Sequence, residues 1–145
     1  MKSNTELIEE KASEFEMLRQ DLEGADSQMQ EINYRMREFK SALETLSSIK
    51  NAKPGQELIM PLSEGLLIKV KLSSPDKVLL GIGNQLVAEK NIKECEEYVK
   101  KRIDEADSIL NQLNESADKT AIKLRKLETE IMELNKKEEE KKKEK

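Results

Sequence analysis

Cys95 is the only thiol in a chain of 145 residues, and it stands between Glu94 and Glu96. A nucleophilic thiol works as its thiolate, which adjacent carboxylates disfavour and a nearby histidine would promote. The chain has no histidine, so the commonest general base and metal ligand is missing. The spacing points instead to a packed or partly exposed thiol near a helix start. One cysteine forms neither an internal disulfide nor a multi-cysteine zinc site. Gly81-Ile82-Gly83 has part of a phosphate-cradling pattern, but a third glycine and an immediately following helix are absent, so it reads as a β turn. Asn114-Glu115-Ser116 fits a glycosylation sequon. It carries no weight behind a start, MKSNTELIEE, that has no apolar signal region. The 30 Asp and Glu residues intermix with 26 Lys and Arg, for a net charge of −4. They read as solvated helix faces rather than acid/base pairs. Lys141 to Lys143 could suit an anionic surface, but Glu138 to Glu140 and Glu144 cancel their field. These residues imply no catalytic group, no metal, no cofactor, no nucleic acid and no membrane. The expectation is a non-enzymatic, cytoplasmic protein that neither binds ATP nor needs a divalent ion.

The elements carrying these residues are set by a composition of 39% charged, 36% hydrophobic and 3% aromatic side chains. Long solvated helices with narrow apolar stripes fit it best. Phe15, Leu18, Leu22, Ala25, Met29, Ile32, Met36, Phe39, Leu43 and Leu46 step by threes and fours. Ile8 extends the series backward and Lys11 interrupts it. That spacing is a coiled-coil seam, in a helix roughly 65 Å long at about 1.5 Å per residue. Asn51 and Pro54-Gly55 stop it. Val99, Ile103, Ala106, Leu110, Leu113, Ala117, Thr120, Leu124, Leu127, Ile131 and Leu134 repeat the pattern later in the chain. An N-terminal helix over 1–50, a C-terminal helix over 91–137 and a charged, frayed tail over 138–145 follow.

Between the helices the period becomes two. Leu66, Ile68, Val70 and Leu72 alternate with Lys69 and Lys71, and Val78, Leu80 and Ile82 alternate again. Glu57 to Leu62 precedes them as a strand, with Pro61 marking an edge or a bulge. Leu86 to Lys90 completes a second hairpin. Two hairpins over 55–90 are too small to stand alone, and their free edges recruit neighbours. The fold class is α+β: a long antiparallel two-helix coiled coil joined by two β-hairpins. Helix lengths alone place Phe15 beside Leu124 or Leu127 and Ile8 near Ile131 or Leu134.

The stretch PLSEGLLIKVKLSSPDKVLLGIGNQLVAEKNIKECEEYVKKRI resembles the alpha-type subunit of archaeal-type prefoldin. Pro61-Leu62, the Gly-led strand Gly65 to Leu72, Asp76-Lys77-Val78, Gly81 to Gly83 and Glu89-Lys90 carry the resemblance, which covers about Glu57 to Ile103. Two hairpins rather than one resemble the alpha class. Cys95 departs from the pattern, where a small residue such as Ala is expected. The resemblance implies an ATP-independent chaperone, or holdase. Two alpha-type and four beta-type subunits would form a hexamer whose hairpins assemble into an oligomeric β-barrel. Coiled-coil tips would capture unfolded client proteins and deliver them to a cytosolic group II chaperonin. Under it, Leu66, Ile68, Val70, Leu72, Val78, Leu80, Ile82 and Val87 serve assembly. Client binding falls to Leu7, Ile8, Phe15, Met17, Leu18, Leu127, Ile131, Met132 and Leu134 near the termini. Leu7-Ile8, Met17-Leu18 and Ile131-Met132 are apolar doublets, and one seam cannot cover both members of each, so surplus apolar surface is expected there. Met29 and Met36 read as seam packing. Gly24 reads either as a tolerated surface glycine or as a soft point in the helix. A filament-forming relative or a coiled-coil scaffold with little client binding is the alternative.

Overall fold

The computed structural model describes residues 1–144. Helix α1 (Asn4–Lys50) leads through β1 (Glu57–Ser63), β2 (Leu66–Lys71), β3 (Lys77–Gly83) and β4 (Leu86–Asn91) into helix α2 (Ile92–Lys143). The fold is α+β, with two long helices and two antiparallel hairpins, β1-β2 and β3-β4. Two compact units divide the chain, Tyr34–Ala106 and a terminal unit of Met1–Asn33 with Asp107–Lys145.

Both helix starts are capped. Ser3 Oγ accepts the Glu6 N–H at 3.2 Å while Glu6 Oε2 accepts the Ser3 N–H at 3.0 Å. This reciprocal pair satisfies two amides that a helix start leaves open. Asn91 Oδ1 accepts the Glu94 N–H at 2.8 Å and caps α2. α2 does not stop at residue 137. It runs on to Lys143, so residues 138–143 are helical rather than a frayed tail, and Lys145 lies outside the described residues. Lys and Glu are strong helix formers, the last-turn lysines suit the helix dipole, and Glu138 is held across the coil.

In the Tyr34–Ala106 unit the helices meet at a small core. Leu46, Ile92, Cys95 and Val99 are buried, with Phe39, Leu43, Ile49, Val78, Leu80, Tyr98 and Ile103 packed against them. Cys95 is the most enclosed, 2% exposed. Burial, then the charge of Glu94, pushes its thiol pKa up, with Lys90 opposing. The thiol therefore stays neutral and acts as a packing group. Arg102 fixes the outer end of Tyr98, donating to its hydroxyl at 3.2 Å and sitting 5.2 Å from the ring centre.

The two hairpins share one design. Each strand of the second begins twenty residues after its counterpart, and each hairpin has a register shift, at Pro61/Ser63 and at Gly81/Gly83. Leu62 and Ile82 are the extra residues of these bulges. Asn84 and Gln85 connect β3 to β4 with φ of 49° and 60°, the left-handed pair of a two-residue hairpin turn. A Gln side chain is strained there, and glycine is not. Gln85→Gly should therefore stabilise the protein by about 1 kcal/mol, read as a higher denaturant midpoint at fixed protein concentration. No gain would mean the turn relaxes in solution.

Candidate functional site

In the terminal unit the seam residues of both helices are covered in part by one another. Phe15, Leu18, Leu22, Ala25, Met29 and Ile32 are half-buried on α1, as are Leu110, Leu113, Ala117, Thr120, Leu124, Ile131 and Leu134 on α2, and Leu127 is buried. Cross-coil polar contacts set the pairing. Thr5 Oγ1 donates to Glu138 Oε1 at 2.9 Å, and Lys11 Nζ pairs with Glu130 Oε2. Phe15 lines a hollow with Glu128, Ile131 and Met132, while the Lys11–Glu130 and Thr5–Glu138 contacts keep the register that helix lengths alone suggest. Each Cα–Cβ bond leans toward its own helix N-terminus, so antiparallel side chains meet between their backbone levels.

The expected surplus of apolar surface takes a narrower form. Leu7 and Ile8 are both half-buried, so that doublet leaves neither side chain open. Next to the last seam positions the covered stripe is wide enough for two adjacent residues. The other two doublets do split. Leu18 and Ile131 are half-buried, whereas Met17 is 65% and Met132 67% exposed. Met132 borders two neighbouring hollows, one with Phe15, Glu128 and Ile131 and one with Glu133, Asn135, Lys136 and Glu139. Ile109 and Ile122 are further exposed aliphatics that the seam pattern did not single out.

The hairpins display apolar surface of their own. Leu66, Ile68, Ile82 and Val87 are exposed, together with Ile59, Met60, Leu62, Leu67, Leu79 and Leu86. Val78 and Leu80 instead pack on the chain's own core, and Val70 and Leu72 are half-buried. The opposite face of β3 carries Leu79, 69% exposed. Strand alternation assigned only one apolar face to each hairpin. The uninterrupted runs Leu58-Ile59-Met60 and Leu66-Leu67-Ile68 were the signal that both faces of the first are apolar. Among the described residues no three His, Cys, Asp or Glu side chains group as a metal site. No helix there is long and apolar enough to cross a membrane.

Two helices flanking paired hairpins match a known family over most of the chain: the prefoldin subunit family model covers residues 18–138. The chain belongs to the prefoldin family. Prefoldin relatives named alpha subunits bear this out. One from Thermofilum pendens is 26% identical over 120 residues, 83% of this chain and 93% of the relative. The alpha 1 subunit of Methanocaldococcus jannaschii is 27% identical over 131 residues, 90% of this chain and 89% of the relative. Among solved structures, a filamentous PFD from Methanocaldococcus jannaschii superposes with a TM-score of 0.68 at 20% identity, over 80% of this chain and 96% of the other. A prefoldin beta subunit from Thermococcus strain KS-1 gives 0.60 at 16% identity, over 92% and 96%. These two share the prefoldin fold. Membership makes the chain a chaperone subunit, which accords with two displays of uncovered apolar surface.

Proposed function

We propose that this prefoldin chain is the alpha-type subunit of an ATP-independent holdase. Its hairpins join beta-type subunits in a cytoplasmic hexamer of two alpha and four beta chains around a β-barrel. The terminal stretches of its coil capture unfolded proteins, and the assembly delivers them to a group II chaperonin. Leu7, Ile8, Phe15, Met17, Leu18, Leu127, Ile131, Met132 and Leu134 form the client surface. Leu66, Ile68, Ile82 and Val87 carry the assembly contacts, with Val70, Leu72, Val78 and Leu80 supporting them from within. The observation that supports capture best is the exposure of Met17 and Met132 in a unit whose seam positions are otherwise covered. Methionine adapts to many partner shapes, and several weak sites on one assembly add by avidity.

The test replaces Met17 and Met132 with Gln together, at largely exposed positions outside the seam. Helicity and assembly mass should stay constant while suppression of aggregation of a denatured test protein falls severalfold. Unchanged suppression would place the client site elsewhere. Mass measurement with and without a beta-type partner separates the hexamer from a self-assembled filament or a scaffold.

A further inference from the structure

Lys11 occupies a seam position. It falls between Ile8 and Phe15 at the spacing of three and four that otherwise carries apolar residues, and its side chain is 28% exposed. Its Nζ pairs across the coil with Glu130 Oε2, whose side chain is 33% exposed. By contrast, the pairs Lys2–Glu10, Arg19–Glu16, Lys50–Glu96 and Lys69–Glu57 each have at least one partner about half exposed or more. Toward the termini the coil stays polar. Asn4 takes the next seam position on α1, Glu138 the next on α2, and Thr5 donates to Glu138 at 2.9 Å. Between Phe15 and the chain ends, one charge pair and one hydrogen bond thus join the helices alongside the half-buried Leu7, Ile8, Ile131 and Leu134.

We infer that the Lys11–Glu130 pair is a latch that holds the terminal stretches of the coil together and sets how far Ile8, Phe15, Ile131 and Leu134 are offered to clients. The inference rests on the reading of these stretches as the client-binding surface, and it names how that surface is regulated. The latch is placed for the role. Phe15 lies one turn after Lys11 on α1, Ile131 directly follows Glu130 on α2, and both line the apolar hollow that Met132 borders. A lone lysine at a seam position opposes close approach of the helices unless a carboxylate compensates it, as polar seam residues do when they fix register. Glu10 and Glu14 on α1 and Lys123 and Lys126 on α2 surround the pair. The hydrogen bond between the two holds the Glu130 carboxyl below its ordinary range and the Lys11 ammonium above its own. A depressed carboxylate pKa contributes stability above its unfolded value, lost as pH falls through the folded one. A raised ammonium pKa contributes stability below its unfolded value, lost as pH rises through the folded one. The latch is therefore shut through the neutral range, where ionic strength is the lever that loosens it.

Glu130→Gln and Lys11→Leu should act in opposite directions. Glu130→Gln removes the carboxylate across the coil and leaves the Lys11 ammonium on the seam with only Glu10 and Glu14 of its own helix beside it. Hydrogen exchange of amides 7–15 and 127–134 in the full-length assembly should speed up about tenfold, with capture of a denatured test protein rising severalfold. Lys11→Leu completes the apolar seam, so exchange should slow, capture should fall, and the dependence of exchange on salt should disappear. Exchange that is unmoved in Glu130→Gln, or still salt-dependent in Lys11→Leu, would overturn the latch. Exchange that moves as expected with constant capture would overturn the gating. Failure of the client reading shows differently, as capture indifferent to the Met17 and Met132 substitutions, and the exchange data judge the latch even then.

Discussion

Replacing Leu66, Ile68, Ile82 and Val87 with Thr should convert the assembled protein into a folded monomer. All four are exposed and none belongs to the chain's own core. Each hairpin is a sheet of two strands with free edges, a unit that is marginal without neighbours. Thr retains a β-branched carbon suited to strands but brings far less apolar surface to a contact. Covering an aliphatic side chain contributes about 1.5–3 kcal/mol. Losing even half of that at four positions weakens association by roughly 3–6 kcal/mol, or at least a hundredfold. Sedimentation or light scattering at micromolar concentration should show the mass falling to that of one chain, with far-UV circular dichroism unchanged. Val78 and Leu80 supply the contrast. They pack on Leu46, Ile92, Cys95 and Val99, so Thr at those positions should reduce stability before it changes mass. An unaltered mass for the fourfold variant would remove the hairpins from assembly.

The heptad and strand periods were legible because each records which side of an element meets water. Phe15 to Leu46 and Val99 to Leu134 are half-buried or buried at nearly every step. Pro61 announced the irregularity of β1, since a residue without an N–H cannot continue a ladder, and the register shifts there. Less legible was everything that depends on which partner covers a side chain. Leu79 and Leu80 differ little as residues, yet Leu80 packs on the core and Leu79 lies open. The sequence cannot say which face of β3 the helices take. Lys11 read as a break in the seam, whereas Glu130, distant in sequence, makes it a cross-coil contact. Leu7 and Ile8 could not both fit a narrow seam, but a wider stripe covers both in part.

Leu46→Ala should cost about 2–4 kcal/mol, more than truncation of a half-buried residue on the terminal seam. Met36 is buried farther along α1; where the hairpins meet the helices, Leu46 is the α1 member of a buried cluster completed by Ile92, Cys95 and Val99 of α2. Removing its isobutyl group takes apolar contact from Ile92, Cys95 and Val99 together, at a junction where two helices and β3 converge. Rigid neighbours cannot collapse into the space, so a cavity adds to the lost transfer energy. Because Val78 and Leu80 pack against the same cluster, looser helices should also loosen the second hairpin. Leu22→Ala on the terminal seam is the comparison. Leu22 is half-buried, water reaches part of the space it vacates, and about 1 kcal/mol is expected. Urea unfolding of both variants at one protein concentration separates the two, since association would otherwise shift the midpoint. Hydrogen exchange should place the Leu46→Ala loss at β3, β4 and the first turns of α2, with amides near Leu22 unaffected. Equal costs for the two variants would mean that stability is spread evenly along the coil rather than concentrated where the hairpins join it.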